Sequence, residues 1–159
     1  LIGDSVLDVG CRDGTFLLGL AKRPRLAAGI DIDPKSVDAA NAAAADMEHA
    51  AFFQWDVTRP ERPPLPAEGF DSVVCMEVLE HLRTPDPENL LARLLTLVNP
   101  GGSLIVTVPA NTHISDPDHV NVFHREALLR EFPKLHWVPG VPHIWIGFFL
   151  AKDIYGDLE

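Results

Sequence analysis

Basic residues are scarce in this chain: 13 lysines and arginines stand against 23 aspartates and glutamates, a formal charge of −10 over 159 residues. A surface of that sign repels phosphate backbones, and no stretch of the sequence gathers Lys and Arg into a local exception. Nucleic acid is therefore disfavoured as a partner, and a small molecule fits better. Cysteine is almost absent: only Cys11 and Cys75 occur, each inside an apolar run rather than in a spaced pair. That pattern argues against a disulfide framework or a Cys-x-x-Cys zinc site and suits a reducing cytoplasm. Long hydrophobic runs are missing too, since none approaches the roughly 20 residues that span a bilayer, so no membrane association is expected. The chain opens at Leu1 in a strand-like segment with no basic leader, which reads as the start of a trimmed or excised domain. No internal repeat is visible.

What is present is enough apolar material, 47% of residues, to build one core. Short runs rich in Val, Ile, Leu and Phe recur at Ser5 to Val9, Leu26 to Ile32, Ala51 to Val57, Phe70 to Met76 and Leu104 to Val108. Their near-continuous apolar character, without strict alternation, is that of parallel strands covered on both faces by helices. Right-handed crossovers must then join them. Asp33-Pro34 supplies an N-cap and a first-turn proline for a helix running to about Ala45. Asp86-Pro87 repeats the device before Leu90, Leu91, Leu94, Leu95 and Val98 at helical spacing, with Asn99-Pro100-Gly101-Gly102 as the stop. Thr58 to Gly69 carries Pro60, Pro63, Pro64 and Pro66 and reads as an ordered surface connection. Arg125 to Phe132 is expected to be a helix. Leu135 to Ala151, broken by Pro139-Gly140 and Pro142, reads as two strands forming a terminal antiparallel pair.

The chemistry gathers where strands end. The first strand runs through Asp8-Val9-Gly10-Cys11-Arg12-Asp13-Gly14 into Thr15 to Leu20, whose apolar residues Phe16, Leu17 and Leu20 have helical spacing. A strand, a glycine turn and a helix start let a ligand approach backbone N–H groups. About twenty residues on, the second strand ends in Gly29-Ile30-Asp31, where a carboxylate can accept both hydroxyls of a ribose. Asp33 already serves as a helix cap, which leaves Asp31 free for a ligand. The third strand ends in Trp55-Asp56-Val57. Carboxylates at successive strand ends of one sheet edge are hard to explain by folding alone. A nicotinamide-dinucleotide domain is the competing reading, but it would more usually show G-x-G-x-x-G, which Gly10 to Gly14 does not match.

These residues resemble the class I S-adenosylmethionine-dependent methyltransferases, in the branch that includes the ubiquinone-biosynthesis O-methyltransferases. The likeness covers Val6 to Gly14, Gly29 to Pro34, Asp56, Asp71 to Leu82 and Leu97 to Pro109, with Cys75-Met76-Glu77-Val78-Leu79-Glu80-His81-Leu82 and Asn99-Pro100-Gly101-Gly102-Ser103-Leu104 as its strongest stretches. It implies a Rossmann-like, doubly wound α/β domain over residues 1–159, with a mostly parallel seven-stranded sheet and an antiparallel terminal strand. It also implies that Gly10, Cys11 and Gly14 pack against the methionine moiety of the cofactor, with Asp8 supporting the turn and the cationic end. Asp31 would bind the ribose hydroxyls, Ile32 would lie on the adenine, and Asp56 with the Val57 backbone would read the adenine edge. Met76 and Glu77 would border the sulfonium pocket. Arg12 departs from the family's usual glycine; it is expected to follow the turn with negative φ and its side chain toward solvent. The helices that usually precede the first strand and cover the acceptor are absent, so the lid would come from a missing segment or a partner chain.

Methyl transfer from a sulfonium is an in-line displacement, so the protein's part is positioning and exclusion of water. If the acceptor is a hydroxyl, a base can take its proton; His81, His113, His119 and His124 are the candidates, with His81 put forward as catalytic. Trp137, Trp145, Phe148 and Phe149 either line an acceptor pocket or fill the core. The leading expectation is O-methylation of a small molecule. Glu77, Glu80 and His81 are spaced to share one face of a helical turn, and with the run from Asp118 to Glu126 they resemble a motif of the small-RNA 3'-terminal 2'-O-methyltransferases. That alternative would make Glu77, Glu80, His81 and His119 ligands of a divalent metal. A further alternative is a non-catalytic cofactor-binding module.

Overall fold

The computed structural model describes residues 2–20, 23–82, 87–109, 120, 136–137 and 145–151. Strands β1 (Ser5–Val9), β2 (Leu26–Asp31), β3 (Ala50–Gln54), β4 (Phe70–Met76) and β5 (Val98–Pro109) form a parallel sheet in the order β3-β2-β1-β4-β5. Helices α1 (Thr15–Leu18), α2 (Pro34–Ala43) and α3 (Pro87–Thr96) lie on the crossovers. This is the Rossmann-like α/β arrangement, and it puts the C-terminal ends of β1 to β5 along one edge. Trp145–Ala151 continues the pairing, antiparallel to β5, and His136–Trp137 pairs antiparallel with it. Among the described residues no helix is long and apolar enough to cross a membrane.

The sheet is apolar on both faces because helices cover both. Val6, Ala27, Phe52 and Val74 pack with Leu17, Val37 and Ala40 from α1 and α2. The neighbouring strand residues Leu7, Ala28, Val73 and Leu104 join Leu90, Leu91 and Leu94 of α3 on the opposite side. α2 starts as its sequence requires: Pro34 opens the first turn, and Asp33 accepts from the N–H groups of Lys35 and Ser36 and from the Ser36 hydroxyl. Farther along the helix, Asn41 reaches β3 at the outer edge of the sheet. Its Nδ2 donates to the Phe52 carbonyl (2.9 Å) and its Oδ1 accepts from the Phe52 N–H (3.1 Å).

Several boundaries differ from expectation. α1 stops at Leu18 and is capped by Gly19, whose N–H donates to the Thr15 and Phe16 carbonyls, so the helix does not reach Leu20. β3 ends at Gln54, and Trp55 to Val57 lie past it. α3 ends at Thr96, and Val98 belongs to β5. Asn99-Pro100-Gly101-Gly102 is not a helix stop but an irregularity inside β5: the register with β4 jumps from Phe70–Val98 to Ser72–Ser103. Gly101 has φ +78, and a Cβ on Gly102 would lie 2.7 Å from the Asp71 carbonyl oxygen. Asn99 Nδ2 donates to Asp71 Oδ1 (2.9 Å), and Asp71 Oδ2 accepts from Ser5 N (3.0 Å), which ties β1, β4 and β5 at the edge away from the site. The helix expected over Arg125 to Phe132 and the cap expected from Asp86 at the start of α3 lie outside the described residues.

Candidate cofactor site

At the C-terminal edge β1 leads into a tight turn built on positive φ at Gly10 (+78), Arg12 (+48) and Gly14 (+77). Arg12 therefore does not follow the turn with negative φ as expected; it takes the left-handed conformation itself. The backbone is held there from β2: Asp31 Oδ2 accepts from the Arg12 N–H (2.8 Å), while Gly10 and Cys11 both donate to the Ile30 carbonyl. Asp31 also accepts from the Asp33 N–H through Oδ1 (2.9 Å). It is thus not free of structural duty, although each oxygen keeps a second lone pair for a ligand.

The turn encloses one wall of a cavity of about 530 Å³, within the range that holds nucleotide-sized ligands. Of the residues expected at the cofactor, Gly10, Asp31, Ile32, Asp56, Val57, Met76 and Glu77 line it. Ile32 is 65% exposed, an apolar side chain left open on the rim where a flat apolar ring can cover it. Asp56 sits in the turn after β3, where its Oδ1 accepts from the Thr58 N–H (2.9 Å) and hydroxyl (2.7 Å); these bonds hold its pKa below the ordinary carboxylate value. Glu77 follows β4 with φ +54 and accepts from the Thr107 hydroxyl of β5 (2.8 Å).

Three expected residues stand elsewhere. Cys11 points into the core between α1, α2 and β2, a Cβ on Gly29 having only 2.7 Å to its sulfur, and burial with nearby acids pushes its thiol up to about 12. Gly14 faces Phe52 and Ala40, so its missing side chain serves packing of the α1 start. Asp8 is buried below the turn, and its carboxyl is pushed up to about 7 by burial and then by the charge of Asp31. The start of α1 is not an open anion site either, since Asp13 Oδ1 accepts from the Thr15 N–H and hydroxyl.

Arg12, singled out in the turn, lines the cavity as well, whereas sequence reasoning did not put Val9, Ile30, Trp55, Val78 and Leu82 on its wall. Val78 carried a readable sign only in combination: Gly10 lacks a side chain because the Val78 Cγ2 atom would lie 2.3 Å from any Cβ there. Trp55 forms the wall shared with a second cavity of about 280 Å³ beneath the Thr58 to Gly69 connection. Its indole N–H is buried with no hydrogen-bond partner among the described residues, and the Arg59 guanidinium lies 5.7 Å from its ring.

After Glu77 the chain makes only a 3-10 turn, Leu79–His81, instead of the helical turn that would align Glu77, Glu80 and His81 on one face. Glu77 turns to β5. Glu80 is buried, 1% exposed, with both carboxylate oxygens lacking hydrogen-bond partners among the described residues; burial pushes it up to about 7. His81 is on the cavity rim with Nε2 3.8 Å from Glu80 Oε1. Among the described residues no group of three or more His, Cys, Asp and Glu side chains is placed to hold a metal. His119, the fourth member of the expected quartet, and His113 and His124 lie outside the described residues, as do the side chains of Trp137, Trp145, Phe148 and Phe149.

The same geometry has relatives. The chain is 33% identical over 108 residues to a ubiquinone biosynthesis O-methyltransferase of Aeromonas salmonicida, covering 67% of this chain and 44% of that one. It is 35% identical over 105 residues to the protein of that name from Alkalilimnicola ehrlichii, covering 66% and 41%. It thus spans less than half the length of these curated relatives. Among solved structures, the N-methyltransferase NodS from Bradyrhizobium japonicum WM9 in complex with S-adenosyl-L-homocysteine superposes with a TM-score of 0.72 at 20% identity, over 93% of this chain and 77% of that one. A family model described as a methyltransferase domain matches residues 3–159. With the glycine turn, the acidic strand ends and the match over nearly every residue in agreement, the chain belongs to the methyltransferase domain family.

Proposed function

We propose that this chain is the cofactor domain of an S-adenosylmethionine-dependent methyltransferase that acts on a small molecule, at oxygen. The observation that carries the reading is the convergence of Gly10, Asp31, Asp56 and Glu77, from the ends of β1 to β4, on one cavity. Those residues fit the cofactor. Gly10 lines the cavity from a turn at positive φ, Asp31 retains lone pairs for two vicinal hydroxyls, and exposed Ile32 offers a face for a base. When bound, the cofactor would supply an electrophilic methyl on a sulfonium, open to in-line attack by the acceptor with the thioether sulfur as leaving group. The chain's own residues orient that end of the cavity and keep it acidic. His81, exposed on the rim, is the candidate to accept the proton that an acceptor hydroxyl releases.

Oxygen as the acceptor atom and a small acceptor are supported by the names of the curated relatives and by the charge of −10. The remaining walls of the acceptor pocket, on this reading, come from beyond the described residues or from a partner chain. A seven-stranded sheet closed by an antiparallel strand is the completed form of the domain, and buried Cys11 and Cys75 suit the reducing cytoplasm. Calorimetric titration with S-adenosylhomocysteine tests the reading: saturable heat is expected, and neither heat nor a rise in Tm at millimolar ligand would overturn it.

A further inference from the structure

Parallel strands β3 and β4 are joined across the α3 face of the sheet without a helix. Pro60, Pro63, Pro64 and Pro66 remove N–H groups that a helix would need, so residues 58–69 cross as an irregular strap. The strap sends Leu65 and Ala67 against the core but fills the space beside α3 incompletely, and the cavity of about 280 Å³ remains beneath it. Its floor is apolar and buried, made by Ile30 of β2 with Leu90, Leu94 and Leu97 from α3 and the residue after it. Ile30, Trp55 and Val57 also line the larger cavity, so the two share a wall.

The mouth of this smaller cavity has the opposite character. Exposed Arg62 and half-buried Arg93 line it with Glu61 as the one acid, in a chain where acids outnumber bases 23 to 13. Backbone carbonyls hold both guanidiniums: Arg93 donates to those of Thr58 (3.3 Å) and Arg59, and Arg62 Nη2 to those of Ala67 (2.7 Å) and Glu68 (2.6 Å). The carbonyls fix the two cations without neutralising them. Each guanidinium carries five N–H donors, so further donors stay available for an anion, and the planar fork matches a carboxylate. The Glu68 carboxylate lies 3.7 Å from Arg62 Nη2 but is 98% exposed, so water screens it. We propose that this cavity is a second ligand site, separate from the cofactor cavity, for a small one-ring carboxylate. The ring lies on the leucine floor against Trp55, and the carboxylate meets Arg62 and Arg93 at the mouth. An apolar cavity of roughly 150 Å³ takes benzene, and 280 Å³ leaves room for the acid group as well. A neutral arene would leave the cations unused, and a carboxylate without a ring would leave the floor uncovered.

Benzoate is the probe, titrated into the whole chain and followed by methyl NMR. Saturable shifts are expected at the methyl groups of Leu90, Leu94 and Leu97. The Kd of benzoate should lie about ten-fold or more below that of benzamide, which matches its shape but lacks the charge. Acetate, with no ring, should not saturate at the same concentrations. When both guanidiniums are removed in the double variant Arg62→Gln, Arg93→Gln, the two Kd values should come within about two-fold of each other. Shifts that never saturate, or that saturate only at Ile32 and Val78 on the larger cavity, overturn the proposal. So do benzoate and benzamide of equal affinity in the wild type, acetate that saturates alongside benzoate, or a double variant that keeps the wild-type preference. If the double variant does not fold by circular dichroism, the wild-type shifts and the three-ligand comparison decide.

Discussion

Replacing Arg12 by glycine should stabilise the domain, although the side chain is exposed. Arg12 occupies φ +48 in the turn after β1. The left-handed region costs a residue with a Cβ about 1–2 kcal/mol. Glycine removes that cost but loses about 0.5–1 kcal/mol more chain entropy on folding. The net expectation is a gain of about 0.5–1 kcal/mol, which in a domain of this size raises Tm by about 1–4 °C. The bond from the residue-12 N–H to Asp31 survives, because it is made by the backbone. Arg12→Ala is the control: it removes the guanidinium, which lies among Asp13 and Asp31, yet keeps the strain. Thermal unfolding of wild type and both variants by circular dichroism, without ligand, separates the two contributions. If Arg12→Gly is no more stable than Arg12→Ala, backbone strain at this turn is not the dominant effect and the reasoning fails.

Asp31→Ala should weaken S-adenosylhomocysteine at least about ten-fold and also lower stability by about 1–2 kcal/mol, since two backbone N–H groups lose their acceptor; intact stability in denaturant melts would contradict the geometry. Gly10→Ala meets both a φ of +78 and the Val78 side chain, so a loss of about 1–3 kcal/mol is expected, and adding Val78→Ala should recover the steric part but not the backbone part. Asp8 holds a proton in the folded state up to about pH 7 that the unfolded chain, with the ordinary value of 3.8, releases earlier. The fold therefore loses stability as pH rises between those values, with the penalty complete above about pH 7. Asp8→Asn should shrink the drop in Tm between pH 5 and pH 8, leaving the part due to Glu80, which acts in the same direction; an equal drop in the variant would count against it.

Much of the fold was legible because the strands are nearly pure apolar runs and α2 announces itself with Asp33-Pro34. Strand β4 was read to the residue. The ends were less legible where one residue type serves two purposes. Asn-Pro-Gly-Gly is as good a helix stop as it is a bulge, and only pairing with β4 decides between them. Asp31, Ile32, Asp56 and Glu77 were found at the cavity because strand ends are readable from hydrophobic runs. Cys11 was not placed correctly, because a turn residue's direction depends on φ, and three positive φ values in five residues turn its thiol inward. For the same reason the spacing Glu77, Glu80, His81 suggested a shared face that a left-handed residue and a 3-10 turn do not give.

The carboxamide of Asn41 has a consequence for solubility. β3 is the outermost strand on its side, and the end strand of a sheet presents unpaired N–H and C=O groups that can recruit a strand from another molecule. By taking both backbone groups of Phe52, Asn41 plays the part of a one-residue neighbouring strand supplied by the protein's own helix. An incoming chain must break that pair before it can zip along β3. A side chain that weighs on the choice between folding and self-association is thus a helix residue outside the ligand cavity, and its replacement is expected to show first as aggregation rather than as lost binding.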